Sequence, residues 1–101
     1  MSWQPSEEHD REVRRWMASK GWPVTATHYS SDREIYAWRH ELHGGKSPTL
    51  RISRYVLEHY PAFAVIHFLE ELRLARHIKK GPEARLVVVQ NGQRVTLEWP
   101  T

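Results

Sequence analysis

Residues 61–80, PAFAVIHFLEELRLARHIKK, constrain this chain more than any other stretch. The spacing predicts one helix from Pro61 to Lys80. Val65, Phe68, Leu69, Leu72 and Ala75 recur at helical intervals and form one broad apolar face. Pro61 suits a first helical turn, where its missing N–H is no loss. Gly81 followed by Pro82 supplies a stop. Phe63 and Ile66 point away from the main face, so the front half is apolar nearly all round. A helix of that kind is covered on both sides. The second cover is either more of its own chain or another chain. Phe63 and Ile66 are therefore the expected interface residues, and a homodimer is one expected assembly, because a twofold axis sets one patch against itself.

The segments on either side supply what this helix packs on. Ser6 is the expected N-cap of a first helix, and Glu7, Glu8 and Asp10 load its first turn as the helix dipole prefers. Val13, Trp16 and Met17 share one side, with His9 and Lys20 at its ends. Arg11, Arg14 and Arg15 lie on the other side, where Glu7–Arg11 and Asp10–Arg14 are i,i+4 pairs that neutralise the arginine stripe. Gly21 is the expected left-handed C-cap, with Trp22 folding back. Val24–Ser30 and Ile35–His43 read as a strand pair across the turn SSDR, and Pro48–Ile52 as a third strand after the glycine loop HGGKS. Alternation puts Tyr36, Trp38, His40 and Leu42 on the core face and Ile35, Ala37, Arg39 and Glu41 on the other. Ser53 caps a short helix, RYVLEHY, which must end at Tyr60 because a residue before proline avoids helical dihedrals. ARLVVVQ and QRVTLEW form a closing hairpin across Asn91-Gly92, the strongest turn signal in the chain.

The expected fold is a single α+β domain over residues 1–101, an antiparallel sheet packed on helices in the order α-β-β-β-α-α-β-β. The opening α-β-β-β-α order resembles that of double-stranded-RNA-binding domains. With the closing hairpin, the order resembles that of small dimeric secretion chaperones. Neither resemblance extends to residues: the second helix has no lysine-rich start, and those chaperones are typically acidic while this chain carries a net charge of +3. Cysteine is absent, which excludes disulfides, thiolate zinc sites and cysteine nucleophiles and fits a cytoplasmic location. The polar, acidic start MSWQPSEEHD is expected not to be a signal peptide, and the longest apolar run, Ala62–Ile66, is too short to span a bilayer, so no membrane association is expected.

Motifs for chemistry are absent. Gly45-Lys46-Ser47 matches the tail of a phosphate-binding P-loop, but His40 stands where the first glycine belongs, and Pro48 and a strand follow instead of a helix. His40 and His43 lie three apart on a strand and face opposite sides, and no spacing completes a metal site. Glu70 and Glu71 diverge on a helix and cannot work as a facing pair; Glu70 is expected to support Arg73. No catalytic residue, cofactor or small-molecule substrate is therefore expected.

One constellation remains. Arg73, Arg76, His77, Lys79 and Lys80 gather at the end of the long helix. Two readings stay open. Cations there match the helix dipole and stabilise it by about 0.3–1 kcal/mol each. They can equally form a landing strip for phosphates, helped by Lys46, Arg51 or Arg54, with bases stacking on Tyr29, Tyr36 or Trp38 if that sheet face is exposed. The expectation is a non-enzymatic binding module, with nucleic acid as first partner and a homodimeric protein-interaction or adaptor role as the alternative. The hairpin gives a test of the sequence reading alone. Asn91 and Gly92 are expected at the two central positions of a type I′ turn, both with positive φ, so Gly92→Val should lose about 1–2 kcal/mol in urea unfolding.

Overall fold

The computed structural model describes residues 3–42, 47–76, 85–91 and 94–98, the last two segments through their backbone. The chain is α+β, with elements α1 (Glu7–Ser19), β1 (Ala26–Ser30), β2 (Ile35–Arg39), β3 (Thr49–Ser53), α2 (Arg54–His59), α3 (Ala62–Glu71), β4 (Arg85–Asn91) and β5 (Arg94–Glu98). The five strands lie in one sheet in sequence order. β1–β2, β2–β3 and β4–β5 pair antiparallel, as short connections require. β3 and β4 pair parallel, Leu50 opposite Leu86 and Ile52 opposite Val88, because α2 and α3 lie between them and return the chain to the end it left. Asn91 does not take the central, positive-φ place in the turn that was expected of it: it is the last residue of β4 and pairs with Arg94. The glycine loop His43–Lys46, the Gly81-Pro82 stop and Gly92 of the hairpin lie outside the described residues.

The helix ends follow local chemistry. Ser6 caps α1 by accepting the His9 N–H at 3.1 Å. At the other end Gly21 is left-handed at φ 91°. There the Trp22 N–H donates to the Met17 carbonyl and the Gly21 N–H to Ala18, the paired bonds of a Schellman cap. Ser53 caps α2, and Tyr60 leaves it in extended conformation before Pro61. Pro61 is itself the N-cap of α3, one position ahead of the expected one. On the surface of α1, Asp10 pairs with Arg14 at 2.9 Å, while Arg11 and Arg15 turn to Glu12 at 3.6 Å instead of Arg11 reaching Glu7.

All described helices bury their apolar residues against one face of the sheet. Val13, Trp16 and Met17 of α1, Val56 and Leu57 of α2, and Val65 and Leu69 of α3 join Tyr36, Trp38, Leu50 and Ile52 in the core cluster. Trp38 is wholly buried. Its indole N–H donates to Asp10 at 3.0 Å, and Asp10 is also held by Arg14. The buried Trp16 donates across to α3, to the Glu70 carboxylate at 2.9 Å, where Lys20 Nζ also arrives at 3.2 Å. Glu70 therefore serves α1 and not Arg73. His9 adds a third tie: its Nε2 carries the proton and donates to the Tyr60 carbonyl at 2.7 Å.

The predicted helix 61–80 breaks. α3 stops at Glu71, Arg73 takes a left-handed φ of 54°, and helical backbone resumes at Leu74. On a straight helix Leu74 would face away from Val65. The turn at Arg73 instead sends it into the core, where it is 0 % exposed. Burying a leucine contributes about 1.5–3 kcal/mol. A left-handed non-glycine residue costs about 1–2 kcal/mol, so the break is favoured. The same break leaves Phe68 and Leu72, expected in the core, only partly buried, with Phe68 edge-on to Tyr60. Leu74→Ala should lose about 2–5 kcal/mol in chemical denaturation, whereas Arg73→Gly, which removes the left-handed penalty, should lose nothing.

Glu70 gives the fold a pH dependence. The Trp16 indole N–H, and after it Lys20, hold its carboxyl below the usual 4.5. A folded pKa below the unfolded one stabilises above the unfolded value and is lost as pH falls through the folded value. The stability gap between the wild type and Glu70→Gln should therefore be full near neutrality and shrink on acidification below 4.5, as read from urea midpoints at stepped pH.

Candidate nucleic-acid interface

Of the cations expected at the end of the long helix, Arg73 and Arg76 are the two that the described residues include. Arg73 sits in the left-handed turn and Arg76 on the helical backbone beyond it, both exposed, with the Arg76 N–H donating to the Arg73 carbonyl. His77, Lys79, Lys80 and Lys46 lie outside the described residues. The break between Glu71 and Leu74 means that Arg73 does not continue a stripe along α3. Arg54 opens α2 and is already engaged. Its Nε meets Glu58 at 2.9 Å, its guanidinium lies 5.3 Å from the Trp3 ring, and Tyr29 and then Glu58 raise its pKa. Arg51 is half-buried on β3, on the sheet face turned away from the described helices.

The aromatic residues expected to stack bases are on the wrong side for that work. Tyr36 and Trp38 face the helices and are buried. Tyr29 is partly buried beneath Trp3, with ring centroids 5.4 Å apart. Of the expected interface residues, Ile66 packs partly buried against the chain's own core, while Phe63 stands 76 % exposed.

The sheet face turned away from the described helices, where Ile35, Ala37, Thr49 and Ser53 are buried, sets the expected Arg51 beside two residues that sequence proximity missed, His28 and Arg39. The register aligns His28, Ala37 and Arg51 across three neighbouring strands, and Ala26, Arg39 and Thr49 in the next row. His28 and Arg51 are both diagonal neighbours of Arg39, at about 7–8 Å between backbones, within reach of long side chains. Ala37 lies between them and is itself buried, and a hollow of about 340 Å³ lies beside this group. Glu41 joins the rim from just beyond β2. The rows continue by register to Arg85 opposite Thr49 and Glu98 beyond Val87. A second hollow of about 540 Å³ shares Arg39 and Glu41 and reaches Thr25, Leu42 and Ser47. Strand alternation already set Arg39 apart from Trp38; extending it to β1 and β3 would have found His28 and Arg51 on the same side.

Side chains of these kinds suit anionic groups. Guanidinium groups hold phosphates or carboxylates through charge-assisted bonds and present flat planes on which bases stack. A histidine beside them adds a second flat ring and a donor. Among the described residues, no three His, Asp or Glu side chains come together as a metal-binding group, and no helix is long and apolar enough to cross a membrane. Comparison with known proteins finds no matching family model, no matching curated protein and no matching solved structure. The functional reading therefore rests on the chemistry of these side chains.

Proposed function

We propose that this chain is a non-enzymatic binding module for nucleic acid, and that it binds through Arg39, Arg51 and His28 at the sheet face turned away from the described helices, not through the end of the long helix. One observation carries the reading: strand register brings Arg39, Arg51 and His28, distant in sequence, to neighbouring positions on the sheet face turned away from the described helices. Phosphate contacts supply most of the affinity of such modules and make it fall with salt. The excess of Lys and Arg over Asp and Glu, 15 against 12, suits an anionic partner. The alternative, a protein-interaction module or homodimer, draws on a different surface, the exposed ring of Phe63.

Titration with mixed-sequence RNA and DNA at two salt concentrations tests the reading. Binding should weaken steeply with salt, and Arg39→Glu should lower the salt slope by about one for each phosphate contact removed. The Arg73→Glu/Arg76→Glu pair should weaken binding less than Arg39→Glu alone. The reverse ranking would return the site to the helix end. No binding by the wild type at low salt would end the nucleic-acid reading and promote the protein-interaction module.

A further inference from the structure

The aromatic residues on the helix side of the sheet are closed to solvent by different means. Trp38 lies in the core, wholly buried and bonded to α1. Tyr29 is on β1, at the edge of the sheet, and the ring lying on it is that of Trp3. Three groups frame the Trp3 ring. The Arg54 guanidinium lies over it at 5.3 Å, Tyr29 is tilted against it at 5.4 Å, and Tyr36 meets it edge-on at 6.2 Å. These walls are held without help from Trp3: Arg54 by Glu58 at 2.9 Å and by a hydrogen bond with the Tyr29 side chain, Tyr36 by Trp38 at 4.8 Å. Trp3 itself is loosely tied. It is only partly buried. Trp16 and Trp38 each place their indole N–H on a carboxylate, whereas the Trp3 N–H meets no acceptor among the described residues. Residues 3–5 lie in neither helix nor strand and share no backbone hydrogen bond with a described residue. A hollow of about 220 Å³ opens between Gln4 and Pro5 on one side and Thr27 and Tyr36 on the other, so the segment is held by its ring and not along its length.

We infer that this slot seats a purine base of a single strand, and that Trp3 is a built-in plug which the base displaces. Indole and purine are both a six-membered ring fused to a five-membered one, so the ring seen in the slot stands in for the base in size and flatness. Arg54 stacks over the base as it now does over the indole, and Tyr29 and Tyr36 keep their places against it. Unpaired bases are held by such stacking on aromatic rings and guanidinium planes. A base inside a duplex has both faces covered by its neighbours and does not enter. The inference rests on the nucleic-acid reading above and adds to it a contact that the chain itself controls. The two surfaces adjoin. His28 and Tyr29 are consecutive on the edge strand β1 and face opposite sides of the sheet, so a strand held beside His28 reaches the slot by rounding that edge.

Opening the slot tests the plug. In fluorescence anisotropy with a labelled short oligoadenylate, Trp3→Ala should bind about tenfold or more tightly than the wild type, because a competent state populated about 10 % of the time or less becomes permanent. The gain should be smaller for oligouridylate, whose base has a single ring. It should vanish in the Trp3→Ala/Tyr29→Ala pair, which removes a wall of the slot. The wild type gives a second reading that needs no substitution. On adding oligoadenylate, the indole N–H resonance of Trp3 should move while those of Trp16 and Trp38, bonded within the fold, stay in place.

The outcomes separate. If the wild type binds oligoadenylate and a folded Trp3→Ala binds it no better, the nucleic-acid reading stands and Trp3 is no plug. Weaker binding by Trp3→Ala also overturns the plug, since the indole is then a contact for the strand. Equal gains for oligouridylate overturn the purine assignment. A Trp3 resonance that does not move while the wild type binds places the strand elsewhere, and the inference falls alone. If neither the wild type nor Trp3→Ala binds at low salt, both readings fall together.

Discussion

Burying an indole ring brings a polar N–H into the core, and that N–H has to find an acceptor. Trp38 at the centre of the sheet and Trp16 on α1 both meet this demand with carboxylates that stay at the helix surface, Asp10 and Glu70. An orphaned buried donor costs about 1–3 kcal/mol, a large share of the 5–15 kcal/mol or so by which a domain is stable. The two bonds also fix geometry. Trp38 locks α1 to β2, and Trp16 locks α1 to α3. Arg14 and Lys20 then reinforce each acceptor from outside. With α1 held on one face, the described helices gather there.

Elements governed by local chemistry were legible in the sequence. Ser6, Gly21, Ser53 and Tyr60 act where their side chains or dihedral limits place them, because a cap is decided within a turn of chain. The alternation of β2 likewise identified Tyr36 and Trp38 as the core side. What failed was the continuity of the long helix. Periodicity weighs Leu74 only against its neighbours on the helix, and there it looks misplaced. Its burial depends on a core built from residues distant in sequence, and that gain outweighs the left-handed turn at Arg73. Glu70 was misjudged for the same reason: its partner Trp16 is one helix away in space and far away along the chain.

The site was harder to read than the fold. A linear sequence shows clusters such as Arg73–Lys80 readily, because their members are adjacent. A sheet assembles clusters by register, and His28, Arg39 and Arg51 become neighbours only once three strands are paired.

The single parallel joint in the sheet bears on how the chain reaches this state. β1, β2 and β3 can pair as a meander through short turns, but β4 has to wait for α2 and α3 to dock before it lies beside β3. Closing so long a crossover is entropically slow. Until it closes, β3 presents a bare edge with Leu50 and Ile52 unsheltered, the kind of edge on which a second unfinished chain can pair. The helical pair between β3 and β4 thus governs more than the final packing: it sets how long each new molecule remains exposed to mispairing with its neighbours.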